Sequence, residues 1–273
     1  MMKETGIEDS LEEINNLKEK LKEFGRKRNS TAMLFFSNGE INYNKALDLL
    51  KIIRREPTIH NLDLIIDSGG GDIDMAVKIA EICAHYSEKF TVIVPFLAKS
   101  AATIIALSAD DLILGKVGEL GPIDPQVKHP TLDMYFPASS IKNALEFIES
   151  SKDPDISISM ADKLDPLLIG AYIRSLDVSK QYLSEVRIIK DSDNKEEIIQ
   201  AFTEKYIDHG YPITHEICKQ LRLNFSLNLA DDELENLLYD IHEDVIEFMQ
   251  EDDMETIICS PNNGHVTIYN YDQ

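Results

Sequence analysis

The sequence has few cysteines, and their placement excludes two kinds of site. Cys83, Cys218 and Cys259 are the only three in 273 residues, and no CxxC pair occurs among them. Neither a zinc site nor a disulfide framework is therefore expected. The sequence also has no HExxH pattern and no pair of histidines at metal-ligand spacing, so we expect no metal and no other cofactor.

Basic residues are also scarce: the sequence has 27 lysines and arginines against 49 acidic residues, and its net charge is −22. Affinity for nucleic-acid phosphates depends on lysine and arginine, so this balance argues against a general nucleic-acid partner. The acidic residues are densest over 231–255, where we expect a solvated helical face.

Long apolar runs are absent as well. No stretch reaches the ~20 apolar residues that a membrane span needs, and residues 1–6 (MMKETG) contain no apolar signal region. We therefore expect a cytoplasmic protein without a membrane span. Apolar residues still make up 43% of the chain, which is enough for a sizeable core.

Two apolar, β-rich stretches each break sharply and give way to a helical pattern. The first, over 62–72, reads LDLIIDSGGGD, and the second, over 90–103, reads FTVIVPFLAKSAAT. Their separation fits a strand–helix–strand crossover of roughly 30 residues. Two parallel strands would bring both breaks to the same carboxyl edge of one sheet, where α/β folds place their sites.

The first break is a turn of three glycines, Gly69, Gly70 and Gly71. Glycine can adopt positive φ, and its lack of a side chain lets a ligand approach the backbone closely. One interpretation is an oxyanion hole built from the N–H groups near Gly70 and Gly71. A phosphate cradle is disfavoured, because the stretch has neither GxGxxG spacing nor a P-loop lysine. The third interpretation is a tight strand-to-helix turn without a further role.

The second break contains Ser100, which begins a short apolar helix predicted over 101–109. Serine is a favoured helix N-cap, and on position alone this structural interpretation is the simpler one. The functional interpretation is a nucleophile whose oxyanion is stabilised by the helix dipole and by the N–H of Ala101. The glycine turn upstream favours the nucleophile.

A serine nucleophile needs a base, and three residues are candidates. Lys142 falls at the edge of the buried face of a helix predicted over 137–151, where partial desolvation would lower its pKa. A snorkelling lysine at the rim is the structural alternative. Asp124, in the rigid loop GPIDPQ, could orient a base or close an Asx turn. His209 lies between two predicted helices, where a charge at a helix C-terminus is the simpler explanation.

The remaining patterns organise the chain into three parts. Strands alternate with helices up to about residue 125, and helices then dominate, including long ones predicted over 164–189 and 196–207. We predict an N-terminal amphipathic helix (1–28), an α/β catalytic domain (29–225), and an extension (226–273) with an acidic helix and a short terminal β-hairpin.

Together these elements resemble the Clp protease/crotonase superfamily, and within it the serine dehydrogenase proteinase family, which is related to Clp proteolytic subunits and to signal-peptide peptidase A. The matching stretches are IDSGGGD (66–72), AKSAAT (98–103) and GELGPIDPQ (118–126), with a weaker match at HGYPIT (209–214). The resemblance covers roughly residues 30 to 225 and implies a spiral of ββα units. By this resemblance, Ser100 corresponds to the nucleophile, and Gly70 and Ala101 correspond to the residues that donate to the oxyanion.

The resemblance leaves the base open. Signal-peptide peptidase relatives use a Ser–Lys pair, which nominates Lys142. Clp subunits use a histidine just after the loop that follows the serine helix, and the corresponding place here is Asp124. The Ser–Asp–His triad described for the family nominates Asp124 together with His129 or His209.

The leading hypothesis is a serine endopeptidase that cleaves polypeptides and forms a homo-oligomer, as the resemblance implies. Two alternatives stay open. One is a crotonase-type enzyme that acts on acyl thioesters through the same paired N–H groups. The other is a non-catalytic oligomeric scaffold of the same fold.

Overall fold

The computed structural model describes residues 4–128, 134–206, 208–227, 229, 231–262 and 266–270. In this part of the chain, one mixed sheet of ten strands is accompanied by a separate two-stranded ribbon. Helices cover both faces of the sheet. The predicted α/β class, with its helical C-terminal extension and terminal hairpin, is thereby confirmed.

The main strands coincide with the apolar stretches of the sequence, because β-branched and aromatic side chains fit a buried, pleated surface. The strands are β1 (Thr31–Ser37), β2 (Ile59–Ser68), β3 (Ser87–Val94), β4 (Leu97–Ala98), β5 (Asp111–Leu114), β6 (Glu119–Leu120), β7 (Gln126–Lys128), β8 (Tyr135–Pro137), β9 (Ile213–Thr214), β10 (Ser226–Leu227), β11 (Met254–Cys259) and β12 (Val266–Asn270).

The helices follow the apolar 3.6-residue periodicities. They are α1 (Glu4–Arg28), α2 (Tyr43–Ile53), α3 (Ile73–Tyr86), α4 (Ala101–Leu107), α5 (Ser139–Ser150), α6 (Pro154–Ala161), α7 (Pro166–Glu185), α8 (Lys195–Gln200), α9 (His215–Gln220) and α10 (Asp232–Glu251). A π-helix, Ala201–Lys205, directly follows α8.

The two long helices predicted after residue 125 end earlier than the sequence predicts, and tertiary contacts explain both. The helix predicted over 164–189 ends at Glu185, where the chain becomes extended and the Ile188 N–H donates to the Leu107 carbonyl of α4 (3.1 Å). The helix predicted over 196–207 changes into the π-helix, and the Phe202 carbonyl there accepts from the Ile123 N–H (2.7 Å). Local periodicity carries no information about such distant partners.

The strand order along the sheet is β10–β5–β3–β2–β1–β11–β12. The first five strands are parallel, whereas β11 is antiparallel to both β1 and β12. Side chains alternate along β1, so Met33 and Phe35 pack with α2, α3 and α4, while Leu34 and Phe36 pack with α1 and α10.

The C-terminal hairpin extends the central sheet. β11 lies beside β1 in a register that pairs Leu34 with Cys259 and Ser37 with Thr256. α10 packs against α1 on the same face of the sheet. The first and last segments of the described chain therefore meet, and the division of the chain at residues 28 and 225 stays a prediction.

A short branch of the sheet lies where β2 ends. β4 pairs with β2 through Ala98 and Ser68, β6 pairs with β4, and β9 pairs with β6. This branch brings the glycine turn, the residues before α4 and the residues before β9 to one edge of the sheet. No helix in the described part of the chain is both long and apolar enough to cross a membrane.

Candidate active site

The glycine turn follows β2 and is held by the segment between β1 and α2. The Ile41 N–H donates to the Gly70 carbonyl (2.8 Å), and the Asp72 N–H donates to the Ile41 carbonyl (2.9 Å). Gly71 has a φ of 143°, and a Cβ there would lie 2.3 Å from the Ile41 nitrogen. Glycine is required at position 71, because no side chain fits between these two backbones.

Ser100 joins β4 to α4 in a conformation that is unusual for a serine. Its φ is 50° and its ψ is −121°, a region that costs a non-glycine residue of order 1–3 kcal/mol and that recurs at functional sites. Its hydroxyl makes no capping hydrogen bond to the helix, so the N-cap interpretation does not account for this residue. A sharp strand-to-helix turn presents the nucleophilic serine in α/β-hydrolases.

Gly70 approaches this serine closely. A Cβ on Gly70, which has a φ of 108°, would lie 2.8 Å from the Cβ of Ser100 and 3.0 Å from the amide nitrogen of Ala101. The crossover therefore brings the glycine turn, Ser100 and Ala101 together at one edge of the sheet. Their catalytic roles stay a prediction.

Two backbone N–H groups next to Ser100, those of Gly71 and Ala101, have no hydrogen-bond partner among the described residues. The Gly70 N–H, in contrast, donates to the Ser68 hydroxyl (3.2 Å). The Gly70 carbonyl faces Ile41, and the Gly71 N–H of the same planar, trans peptide group points the opposite way. Gly71 therefore offers an unused donor on the side away from Ile41.

Ser100 and the glycine turn line a cleft of about 880 Å³, a volume within the usual range of ligand sites. The loop after β1 forms one wall. One face of α7 lines the cleft with residues at helical spacing, namely Ala171, Arg174, Ser175, Val178 and Ser179.

The loop after β1 is hydrogen-bonded to a buried lysine. Lys45 of α2 is fully buried, and its ammonium forms a salt bridge with Glu255. The same ammonium donates to the Ser37 hydroxyl (3.0 Å) and to the Glu40 carbonyl (2.8 Å). Because Glu255 belongs to β11, the C-terminal hairpin contributes to the support of the cleft wall.

His209 lines the same cleft as Ser100. Its Nδ1 lies 3.5 Å from Nε2 of Gln126, at the outer limit of hydrogen-bond distance. A half-turn of the Gln126 amide would let its oxygen accept from Nδ1–H. In that tautomer Nε2 of His209 carries a free lone pair and can accept a proton.

Lys142 lies outside this cleft, in a separate pocket beside α8 and the π-helix. Its side chain is 54% exposed, and its ammonium pairs with Glu204 (2.9 Å), which also pairs with Lys180 (2.6 Å). The hydrogen bond and the charge of Glu204 raise the pKa of Lys142 above its usual value of 10.5. The expectation of a desolvated lysine with a lowered pKa is therefore wrong, whereas the role of Lys142 as the base stays a prediction.

Asp124 is buried in the loop between β6 and β7. Its neighbours Ile123 and Pro125 line the Ser100 cleft, and Asp124 itself is not among the described lining residues. The bond from the Ile123 N–H to the π-helix fixes this loop. His129, the other histidine nominated with Asp124, lies outside the described residues.

Sequence reasoning misses several cleft residues, among them Gln126, Arg174 and Ser175. Gln126 ends the GPIDPQ stretch, so its place in a motif was a usable signal. Arg174 and Ser175 lie on α7, and no local pattern relates them to Ser100. Arg174 is the one lysine or arginine among the described lining residues. No group of histidine, cysteine or acidic side chains in the described part of the chain is arranged to hold a metal ion.

A comparison with family models gives a match over residues 36–262. The matching family is described as ClpP-like SDH-type serine proteinase. The matched region contains the glycine turn, Ser100 and all three candidate bases.

Two curated relatives are uncharacterized proteins of Methanocaldococcus jannaschii. One is 30% identical over 232 residues, which cover 78% of this chain and 74% of the relative. The other is 29% identical over 183 residues, which cover 67% of this chain and 58% of the relative.

Similar solved structures include two ClpP proteins. ClpP1 from Listeria monocytogenes has a TM-score of 0.47 and 15% identity, with 74% of this chain and 94% of that chain covered. The ClpP protease catalytic domain from Plasmodium falciparum has a TM-score of 0.44 and 16% identity, with 78% and 90% covered. The membrane-bound stomatin-specific protease 1510-N, as a lysine-to-alanine mutant in complex with a substrate peptide, has a TM-score of 0.45 and 13% identity, with 88% of each chain covered.

Proposed function

The chain belongs to the ClpP-like SDH-type serine proteinases, whose family model matches most of it, and we propose that it is a serine endopeptidase with Ser100 as its nucleophile. One observation carries the proposal. Ser100 has a strained backbone at the carboxyl edge of the sheet, beside two N–H groups that have no partner among the described residues, and it lines a cleft of about 880 Å³. This arrangement suits acyl transfer from a peptide carbonyl.

In the proposed reaction the base takes the proton of the Ser100 hydroxyl as the Ser100 oxygen attacks the carbonyl carbon of the scissile peptide bond. The carbonyl oxygen becomes an oxyanion, and the N–H groups of Gly71 and Ala101 donate to it. The amine then leaves with a proton from the base, and water hydrolyses the acyl-enzyme. Removal of one such donor in a serine peptidase costs on the order of 10²–10³ in rate, which is the scale expected for each N–H here.

We assign the base to His209, because it is the one candidate among the described residues that lines the cleft with Ser100. Lys142 pairs with Glu204 elsewhere, and its raised pKa leaves little neutral amine at neutral pH. With the Gln126 amide turned so that its oxygen accepts from Nδ1–H of His209, Nε2 of the ring is free to accept a proton.

The substrate in this proposal is a polypeptide, and the working form is a homo-oligomer in the cytoplasm. Exposed apolar side chains on α6 and α7 support self-association, since Ile158 is 60% and Leu167 is 85% exposed. The three cysteines are free, as is usual in a reducing compartment. Sedimentation of the purified protein tests the oligomer, and a single monomeric species would exclude it.

Hydrolysis of unfolded casein by the purified full chain tests the peptidase function. We expect cleavage that Ser100→Ala abolishes, His209→Ala strongly reduces and Lys142→Met leaves largely intact. Circular dichroism of each variant confirms that the fold is retained. Loss of cleavage in Lys142→Met but not in His209→Ala would move the base to Lys142. A folded wild-type protein that cleaves no polypeptide would instead favour the non-catalytic scaffold or an enzyme of acyl thioesters.

A further inference from the structure

Lys99 is a buried cation that the proposed mechanism does not use. It directly precedes Ser100 and is 9% exposed. Its ammonium lies 2.5 Å from a carboxylate oxygen of Glu119 and donates to the Leu120 carbonyl (3.2 Å). A charge that has lost its hydration needs such partners, and these bonds direct the side chain toward β6.

Two further acceptors of Lys99 lie in the segment that carries the proposed base. The carbonyl oxygens of Gly210 and Tyr211, directly after His209, are each 3.4 Å from the ammonium. Lys99 and Gly210 are 111 residues apart in the sequence. One side chain therefore connects the turn that presents Ser100 with the segment that presents His209.

The lysine stem and the His209 segment are both held in place by packing. A Cβ on Gly121 would lie 2.6 Å from the Lys99 Cδ, so the stem fills the space beside that glycine. In the His209 segment, the Tyr211 ring stacks on Tyr206 with 4.3 Å between the ring centroids. The segment that Lys99 contacts therefore has a second contact, through its tyrosine ring.

We infer that Lys99 is a positioning residue, whose ammonium holds the backbone at Gly210 and Tyr211 so that His209 faces Ser100. The inference rests on the proposed function, with His209 as the base. An ammonium has three N–H donors, so it can pair with Glu119 and still donate to backbone carbonyls. The required accuracy is high, because a displacement of about 1 Å costs on the order of 100-fold in rate.

The test compares Lys99→Met with Lys99→Arg by the rate at which a fluorophosphonate probe labels Ser100 in the full chain. Methionine keeps the apolar stem and removes every donor, so we expect labelling to slow by on the order of 100-fold. Arginine keeps the charge and the donors but cannot act as a base, because it stays protonated in proteins. We expect Lys99→Arg to restore most of the rate, which separates positioning from proton transfer by Lys99 itself.

Hydrogen exchange over 208–213 measures whether Lys99 holds the backbone of this segment, and this measurement does not depend on catalysis. We expect faster exchange there in Lys99→Met, while the amides of β2 stay protected. Arg28→Met is the matched control, because it removes another ion pair, with the buried Asp63 in the middle of β2 (2.5 Å). We expect the fluorophosphonate probe to label Ser100 of the Arg28→Met variant at the wild-type rate.

A Lys99→Met variant with wild-type labelling would overturn the inference, and so would a folded Lys99→Arg variant that labels as slowly as Lys99→Met. If Lys99→Met does not fold, Glu119→Gln takes its place, because it leaves the buried ammonium without its counter-charge. Unchanged labelling and exchange in Glu119→Gln would then overturn the inference. A wild-type protein that takes no label contradicts the proposed function instead, and exchange over 208–213 still shows whether Lys99 holds the segment.

Discussion

Gly70 packs directly against Ser100, so that a Cβ on Gly70 would lie 2.8 Å from the Cβ of the serine. The same Cβ would lie 2.8 Å from the carbonyl oxygen of Lys99. This contact joins the end of β2 to the start of α4, and it sets how far the backbone donors lie from the serine hydroxyl. Both the close approach and the positive φ of Gly70 require glycine at this position.

Gly70→Ala is therefore predicted to damage the site more than the fold. A positive φ costs a non-glycine residue about 1–2 kcal/mol, and the clash with Ser100 forces the turn to move. We expect labelling of Ser100 by a fluorophosphonate to fall by on the order of 10²-fold or more, because the oxyanion donors leave their places. Urea unfolding followed by circular dichroism measures the accompanying loss of stability.

Gly69→Ala is the matched control. A Cβ on Gly69 meets no heavy atom within 4 Å, so this variant should label close to the wild-type rate and unfold at a similar urea concentration. If labelling of Ser100 slows equally in Gly70→Ala and Gly69→Ala, close packing at Gly70 does not determine the geometry of the site.

The pH dependence of Ser100 labelling distinguishes the candidate bases. The pKa of Lys142 is raised above 10.5 by its bond to Glu204, so a lysine base would give a rate that is still rising at alkaline pH. We predict that the rate does not keep rising at alkaline pH, and that Lys142→Met has the same pH dependence of labelling as the wild type.

The local patterns of the sequence are sufficient to predict the strand–turn–helix units and the meeting of Gly70 with Ser100. Apolar β-rich runs that lie one strand–helix–strand crossover apart and end in abrupt breaks are typical of parallel strands whose carboxyl ends share one edge. The end of α7 and the π-helix could not be predicted, because each depends on a carbonyl or amide contributed by a distant segment. The pairing of β11 with β1 is a contact of the same kind.

Glu204 should make a small, pH-dependent contribution to stability. Hydrogen bonds from Lys180 and Lys142 lower its pKa below the usual 4.5. A carboxylate whose pKa is lowered by folding stabilises the fold above its ordinary pKa, and this stability is lost as the pH falls through the lowered value. We therefore predict that Glu204→Gln is less stable than wild type at neutral pH, by less than about 1 kcal/mol because the lysines are solvated.

Urea unfolding gives the free energy of unfolding of wild type and of Glu204→Gln. The difference between the two values should shrink as the pH is lowered below 4.5, the usual pKa of a glutamate. Glu149→Gln, which removes the same charge from an exposed position of α5, serves as the control and should show little difference at either pH. A difference for Glu204→Gln that persists unchanged in acid would contradict the ion-pair account.

The three thiols are predicted to be unreactive in the folded protein. Cys83, Cys218 and Cys259 are all buried, and burial raises the pKa of Cys83 and raises the pKa of Cys218 and of Cys259 to about 12. Only the thiolate reacts, so a disulfide reagent should titrate no thiol quickly at neutral pH and all three in denaturant. Casein cleavage should survive the reagent, and rapid inhibition would point to a cysteine instead of Ser100.

Which residues complete the site could not be predicted from spacing alone. The position of Lys142 on its helix indicates the edge of a buried face, but Glu204 from the π-helix draws its ammonium into a different pocket. The contacts of Lys99 with Gly210 and Tyr211 join segments with no shared periodicity. Such polar contacts depend on the packed arrangement of loops, which a local pattern does not determine.

The most direct test is the site of covalent modification by a fluorophosphonate probe, located by peptide mass spectrometry on the full chain. An activated serine attacks the phosphorus and releases fluoride, whereas an ordinary surface serine does not react at a comparable rate. We predict a single adduct on Ser100 that Ser100→Ala eliminates. A correctly folded protein that carries no adduct, or carries it on another serine, would contradict the assignment of Ser100 as the nucleophile.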